Sequence, residues 1–75
     1  MAVNNHTIIN EYEQMLEFHE YANLAFAHGY TSLGTLALDI LMPMTRLWNM
    51  QQNKISVKEA DKRYFWLDAK IRGWI

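Results

Sequence analysis

Three histidines are the first residues to weigh for chemistry. His19-Glu20-Tyr21-Ala22-Asn23 opens like the zinc-protease helix, but Asn23 stands where a second histidine is needed. Zinc gripped from one helical face requires two imidazoles one turn apart. His6 and His28 would sit roughly 30 Å apart along a single helix, too far to join His19. No metal site is expected, and the absence of cysteine excludes disulfides and thiolate ligands. His19 falls on an apolar stripe and reads as a hydrogen-bonded core or interface histidine.

Glu13 with Glu17, or Glu17 with Glu20, could be cast as carboxylate pairs for acid–base work. They share an outward face where nothing would desolvate them and shift a pKa. Ser32 and Ser56 occupy helix-start positions and are better explained as caps than as nucleophiles. The glycines at 29, 34 and 73 are isolated, so there is no phosphate-cradling loop. The residues imply neither catalysis nor a cofactor.

The elements that must position these residues are helices. Residues 1–5 read as a disordered lead-in. From about 7 to 28, Ile8, Tyr12, Met15, Leu16, His19, Ala22 and Phe26 recur at three- and four-residue steps, and Gly29 suits the position after a helix. Phe18, Tyr21 and Ala25 fall outside that stripe, while His19 lies on it. A second apolar strip implies a second neighbour, so these four residues are a candidate dimer interface. Thr31 or Ser32 then caps a helix over about 32–52. It is apolar nearly all round, and Pro43, whose ring clashes with the Asp39 carbonyl, is expected to kink it or to break it into two shorter helices near residue 42; Met42 is a poor cap, which favours the kink.

Ser56-x-x-Glu59 has the form of a capping box, with Ile55 and Ala60 placed as its hydrophobic staple. The helix that follows, about 57–72, repeats Val57, Ala60, Tyr64, Leu67, Ile71 and Trp74 at alternating steps of three and four, which predicts the core face. Lys58, Lys62, Phe65 and Trp66 are left on the outer face. Large aromatics among lysines anchor protein interfaces, so these four are the candidate partner-binding residues. A second reading puts Trp66 against bases and the lysines on phosphates, as in a small DNA- or RNA-binding regulator. A helix-turn-helix docking fits poorly, because the connector is long and lacks the usual turn glycine.

With 75 residues the chain makes one domain, 1–75, and buries only roughly 60% of its unfolded surface. Ten aromatics and 51% hydrophobic residues are more than so small a core hides, which favours a homodimer or an obligate partner. Charge is divided. Residues 1–39 carry Glu11, Glu13, Glu17, Glu20 and Asp39 with no Lys or Arg, whereas residues 40–75 hold all seven Lys and Arg. The halves should attract each other, within one chain or across a dimer; the alternative is a basic face for an acidic partner. The longest apolar run contains Asp39 and is too short to span a bilayer, and no leader pattern is visible, so a cytoplasmic, non-membrane protein is expected. Chains of this size and make-up are common in bacteria and their mobile elements, an association with no residue behind it. The expectation is thus an all-α, compact three-helix bundle that associates with itself or another protein.

Overall fold

The computed structural model describes residues 14–75. The expected lead-in over 1–5 and the first turns of the expected first helix lie outside them. The described chain is all-helical and compact. It has α1 (Phe18–Ala27), α2 (Leu33–Asp39), α3 (Met44–Gln51) and α4 (Glu59–Ile71), with no strand among the described residues. No helix among them is long and apolar enough to cross a membrane.

The helix expected over about 7–28 is not continuous through its described part. Residues 14–17 are not helical; the Leu16 N–H donates to the Lys62 carbonyl at 3.0 Å, which ties this segment to α4. Glu17 then caps α1, its N–H donating to the Glu20 carboxylate three residues on. Ser32 caps α2 as expected, accepting the Thr35 N–H at 3.2 Å.

All four described helices end in one hydrogen-bond pattern. The N–H two residues past the cap returns to the carbonyl five back: Tyr30 to Ala25, Met42 to Ala37, Lys54 to Asn49 and Trp74 to Ala69. This turn needs one residue at positive φ. Gly29, Asn53 and Gly73 supply it at three of the ends, and Leu41, at φ 57°, supplies it at the fourth. That fourth end decides between the two expectations for the middle helix, which is broken and not kinked. Pro43 has no N–H to continue the ladder towards Asp39. The chain instead closes α2 at Ile40, turns through Leu41 and starts α3 with Pro43 as its cap, whose carbonyl accepts the Arg46 and Leu47 N–H groups.

The start of the last helix is also corrected. Its cap is Lys58, and Asp61 rather than Glu59 reaches back, accepting the Lys58 N–H at 3.2 Å. Ile55 and Ala60 are both exposed, so the expected staple is not formed.

The core gathers Phe18, Tyr21, Ala22 and Ala25 from α1, Leu33, Leu36, Ala37 and Ile40 from α2 and its cap, Leu47 and Met50 from α3, and Phe65 and Ala69 from α4. For both outer helices the buried face is turned away from the expected one, although Ala22 of the expected stripe on α1 is buried as read. On α1 the second strip, Phe18, Tyr21 and Ala25, is inside, while Met15, His19 and Phe26 are exposed. On α4 the inward face is Asp61, Phe65 and Ala69, about 130° round the helix from the stripe that periodicity picks out. The aromatic faces interlock. Tyr21 stacks on Phe65 at 4.7 Å, Phe18 meets Phe65 edge-on at 6.1 Å, and Ala22, Ala25 and Ala69 have no bulk to hold the helices apart. Large rings between small residues remove more apolar area from water than the aliphatic strips would.

Candidate interaction surface

The buried face of α4 carries two acids, and each has an arginine. Asp61, almost fully buried, accepts from Arg46 of α3 at 2.6 Å besides capping its own helix. Asp68 accepts from the Tyr21 hydroxyl and, at 2.7 Å, from Arg72 one turn on. Arg72 also donates to the Tyr30 hydroxyl at 2.8 Å, and Tyr30 in turn donates to Asp39. This chain of polar groups joins α1, the α1–α2 loop, the end of α2 and the end of α4. Burial, and next the hydrogen bond to Asp68, push the Tyr21 phenol well above its usual pKa. Tyr30 is raised as well, chiefly by its hydrogen bond to Asp39. Trp74 folds back over the same corner, where His28 stacks on it at 5.2 Å and the Arg72 guanidinium lies 5.1 Å from its ring centroid.

Because the aromatic face turns inward, the stripe assigned to the core turns outward. Tyr64 is 40% exposed, Leu67 52% and Ile71 83%, with Ala60 exposed at the head of the same line. The end of α2 lies beside them: the Tyr64 hydroxyl donates to the Ile40 carbonyl at 2.7 Å. At that end Leu41 is 91% exposed, and Leu38, whose carbonyl accepts the Leu41 N–H, is 76% exposed. A scattered exposed leucine needs no explanation, whereas a group of large aliphatics on adjoining elements marks a contact surface. Its outer edge carries Lys70, exposed, and Arg63, which pairs with Glu59 one turn back.

The residues expected to bind a partner are placed differently. Phe65 has no exposed surface and is corrected to the core, where its ring stacks on Tyr21 and meets Phe18 edge-on. Lys58 is exposed at the cap, and Trp66 is half-buried on the flank. Lys62 is half-buried, its ammonium 2.9 Å from Glu17. Lys58, Lys62 and Trp66 follow one another at four-residue steps along the flank that meets the 14–17 segment, so part of this face serves the fold.

The expected dimer residues are corrected too. Phe18, Tyr21 and Ala25 are buried within the chain by α4, and His19 alone of the four is exposed, its ring edge-on to Phe18 at 5.2 Å. The expected attraction between halves is represented by Glu17–Lys62, while Arg46–Asp61, Arg63–Glu59 and Arg72–Asp68 pair within the second half. No three His or acidic residues are gathered as a metal site among the described residues.

The Asp68–Arg72 pair is the ordinary i,i+4 pairing that the sequence suggests, whereas the Asp61–Arg46 pair and the inward placement of both acids escaped sequence reasoning, because a carboxylate on a helix counts as a solvent mark. Their seven-residue separation, with Phe65 and Ala69 on the same side, was the signal for an inward polar–apolar face. Comparison of the chain with protein-family models, curated proteins and solved structures finds no match.

Proposed function

We propose that this chain is a small non-enzymatic protein-interaction module, whose docking surface is the outward stripe of α4 together with the exposed end of α2. One observation carries this reading: Tyr64, Leu67 and Ile71 stand in line on α4, with Leu38 and Leu41 beside them and largely in water. Removing such side chains from water stabilises an association by about 25 cal/mol per Å² before its entropic costs. The earlier choice of Lys58, Lys62 and Trp66 as the docking face has less support, since Lys62 is engaged by Glu17. The nucleic-acid reading is weakened by the same pairing and by that of Arg63 with Glu59.

The test compares immobilised wild-type chain with Leu67→Glu. A protein, a second copy included, retained by the wild type and lost with the variant at unchanged helicity supports the reading. Equal retention by both, or none by either, rejects it.

A further inference from the structure

We propose that the occupant of this surface is a second copy of the chain, docked with the two α4 helices antiparallel across a two-fold axis. The inference rests on the docking reading above and names its partner.

Spacing is the first argument. Ala60, Tyr64, Leu67 and Ile71 advance by four, three and four residues, the seam that packs knobs into holes against another helix of the same kind. A two-fold axis between Tyr64 and Leu67 sets Tyr64 against the partner's Leu67 and Ala60 against the partner's Ile71. The smallest residue meets a bulky one at each end, and the seam closes on itself, as an isologous interface must.

Position of the α2 end is the second. The Tyr64–Ile40 hydrogen bond places the end of α2, and with it the exposed Leu41, beside the Tyr64 side of the seam. A two-fold perpendicular to the helices keeps each flank on its own side, so Leu38 and Leu41 from both copies come together along one edge. Leu41 has a backbone reason to be noticed as well. It holds positive φ where the equivalent turns use Gly29, Asn53 and Gly73, and its side chain adds almost nothing to the core. Strain kept for an exposed leucine is explained if that leucine is covered in the assembled state.

Area is the third. The five side chains expose roughly 600 Å² together, and with their rim they approach the ~800 Å² each partner gives to a stable interface. A core drawn from one short chain, with four alanines among its buried residues, has the deficit that association removes.

Charge then separates self from foreign partners. On the outer edge Arg63 of one copy comes near Lys70 of the other, with Glu59 on Arg63 relieving part of the repulsion. Screening weakens what repulsion is left, so added salt tightens this dimer, whereas an acidic helix bound to the same edge would be loosened.

Sedimentation velocity of the full chain from low to high salt, with circular dichroism alongside, tests the seam. The expected result is a wild-type dimer that persists or tightens with salt, and a sedimenting mass halved in Leu67→Glu with helicity unchanged. If that variant loses helicity, Ile71→Ser reads the same seam from a more exposed position. A wild-type monomer throughout overturns the proposal, as does a dimer indifferent to both substitutions or one that salt dissociates. A monomer that still retains a foreign protein through Leu67 would end the two-fold seam and leave the docking reading standing. A monomer that retains nothing ends both.

Discussion

The Tyr21 and Phe65 rings lie 13° from parallel with centroids 4.7 Å apart, and neither side chain has any exposed surface. Forty-four residues separate them in the chain, so this stack decides which way both α1 and α4 turn. With Phe65 inward, Asp61 and Asp68 must come inward too, and each finds an arginine. The same rotation turns Tyr64, Leu67 and Ile71 out. Core and docking surface are two consequences of one choice of face.

Phe65→Ala should therefore be the most damaging substitution in α4. It removes a fully buried ring between Tyr21 and Phe18, a change that costs about 3–5 kcal/mol. In so small a chain that approaches the whole folding free energy, so the variant should be largely unfolded at room temperature by circular dichroism. A cooperative melt near that of the wild type would show that Phe65 is not central to the core. Leu67→Ala, two residues on, should leave the monomer's stability within about 1 kcal/mol, since that side chain is half in water.

Asp61 links two elements with one carboxylate, capping α4 and holding Arg46 of α3. Asp61→Ala leaves Arg46, whose side chain is 35% exposed and so rehydrates easily, and it frees the Lys58 N–H. The expected loss is about 1–2 kcal/mol, from the cap and the charged hydrogen bond together. Asp61→Asn keeps an acceptor for the cap and should recover a substantial part of it. Denaturant midpoints of the two variants decide the matter; equal losses would mean that the ion pair alone counts.

Stability should fall on the alkaline side. The Tyr21 pKa is raised above its model-peptide value of 10.0, first by burial and then by the Asp68 hydrogen bond. The folded chain keeps a proton that the unfolded chain releases. The contribution is fully present below the unfolded value and is lost as pH rises from there towards the folded one, at about 1.4 kcal/mol per pH unit. Phenolate absorbance of Tyr21 should thus appear together with loss of helicity. In Tyr21→Phe, which keeps the ring and removes the titration, the alkaline midpoint should move up. If Tyr21 ionises while the helices remain intact, its hydrogen bond to Asp68 is not part of the fold's stability.

What could be read from the residues alone follows the range of the interaction that decides it. Ser32 and Gly29 were legible, because a cap or a positive-φ turn is settled within a few residues of chain. Pro43 announced a discontinuity, but whether the helix bends or ends depended on Leu41 accepting a left-handed conformation, which composition disfavours. The facing of α1 and α4 was not legible for a different reason. Each has two apolar strips, Met15–His19–Phe26 against Phe18–Tyr21–Ala25 on one and Tyr64–Leu67–Ile71 against Phe65–Ala69 on the other. Periodicity gives an angle for each strip and no means of ranking them. The aspartates at 61 and 68 gave no help, since the Arg46 partner of Asp61 comes from α3 and an Asp68–Arg72 pair one turn apart suits a solvent-facing helix equally well. The candidate surface was hidden in plain view as the expected core stripe.

Leu41→Gly offers a test in which monomer stability and association should move in opposite directions. At φ 57° a leucine pays about 1 kcal/mol that glycine does not, and with 91% of its surface in water the lost side chain removes little burial from the monomer. Greater freedom of the unfolded glycine offsets part of the gain, leaving a net stabilisation of several tenths of a kcal/mol. The monomer, measured in the Leu67→Glu background so that association does not contribute, should melt slightly higher with Leu41→Gly. In the otherwise wild-type chain the same change removes an aliphatic side chain from the proposed seam on each copy, and the dimer should dissociate at lower dilution. If Leu41→Gly strengthens both the fold and the dimer, Leu41 has no part in docking. If it weakens the fold, the turn that closes α2 is not strained, and the case for leucine being kept there for association falls with it.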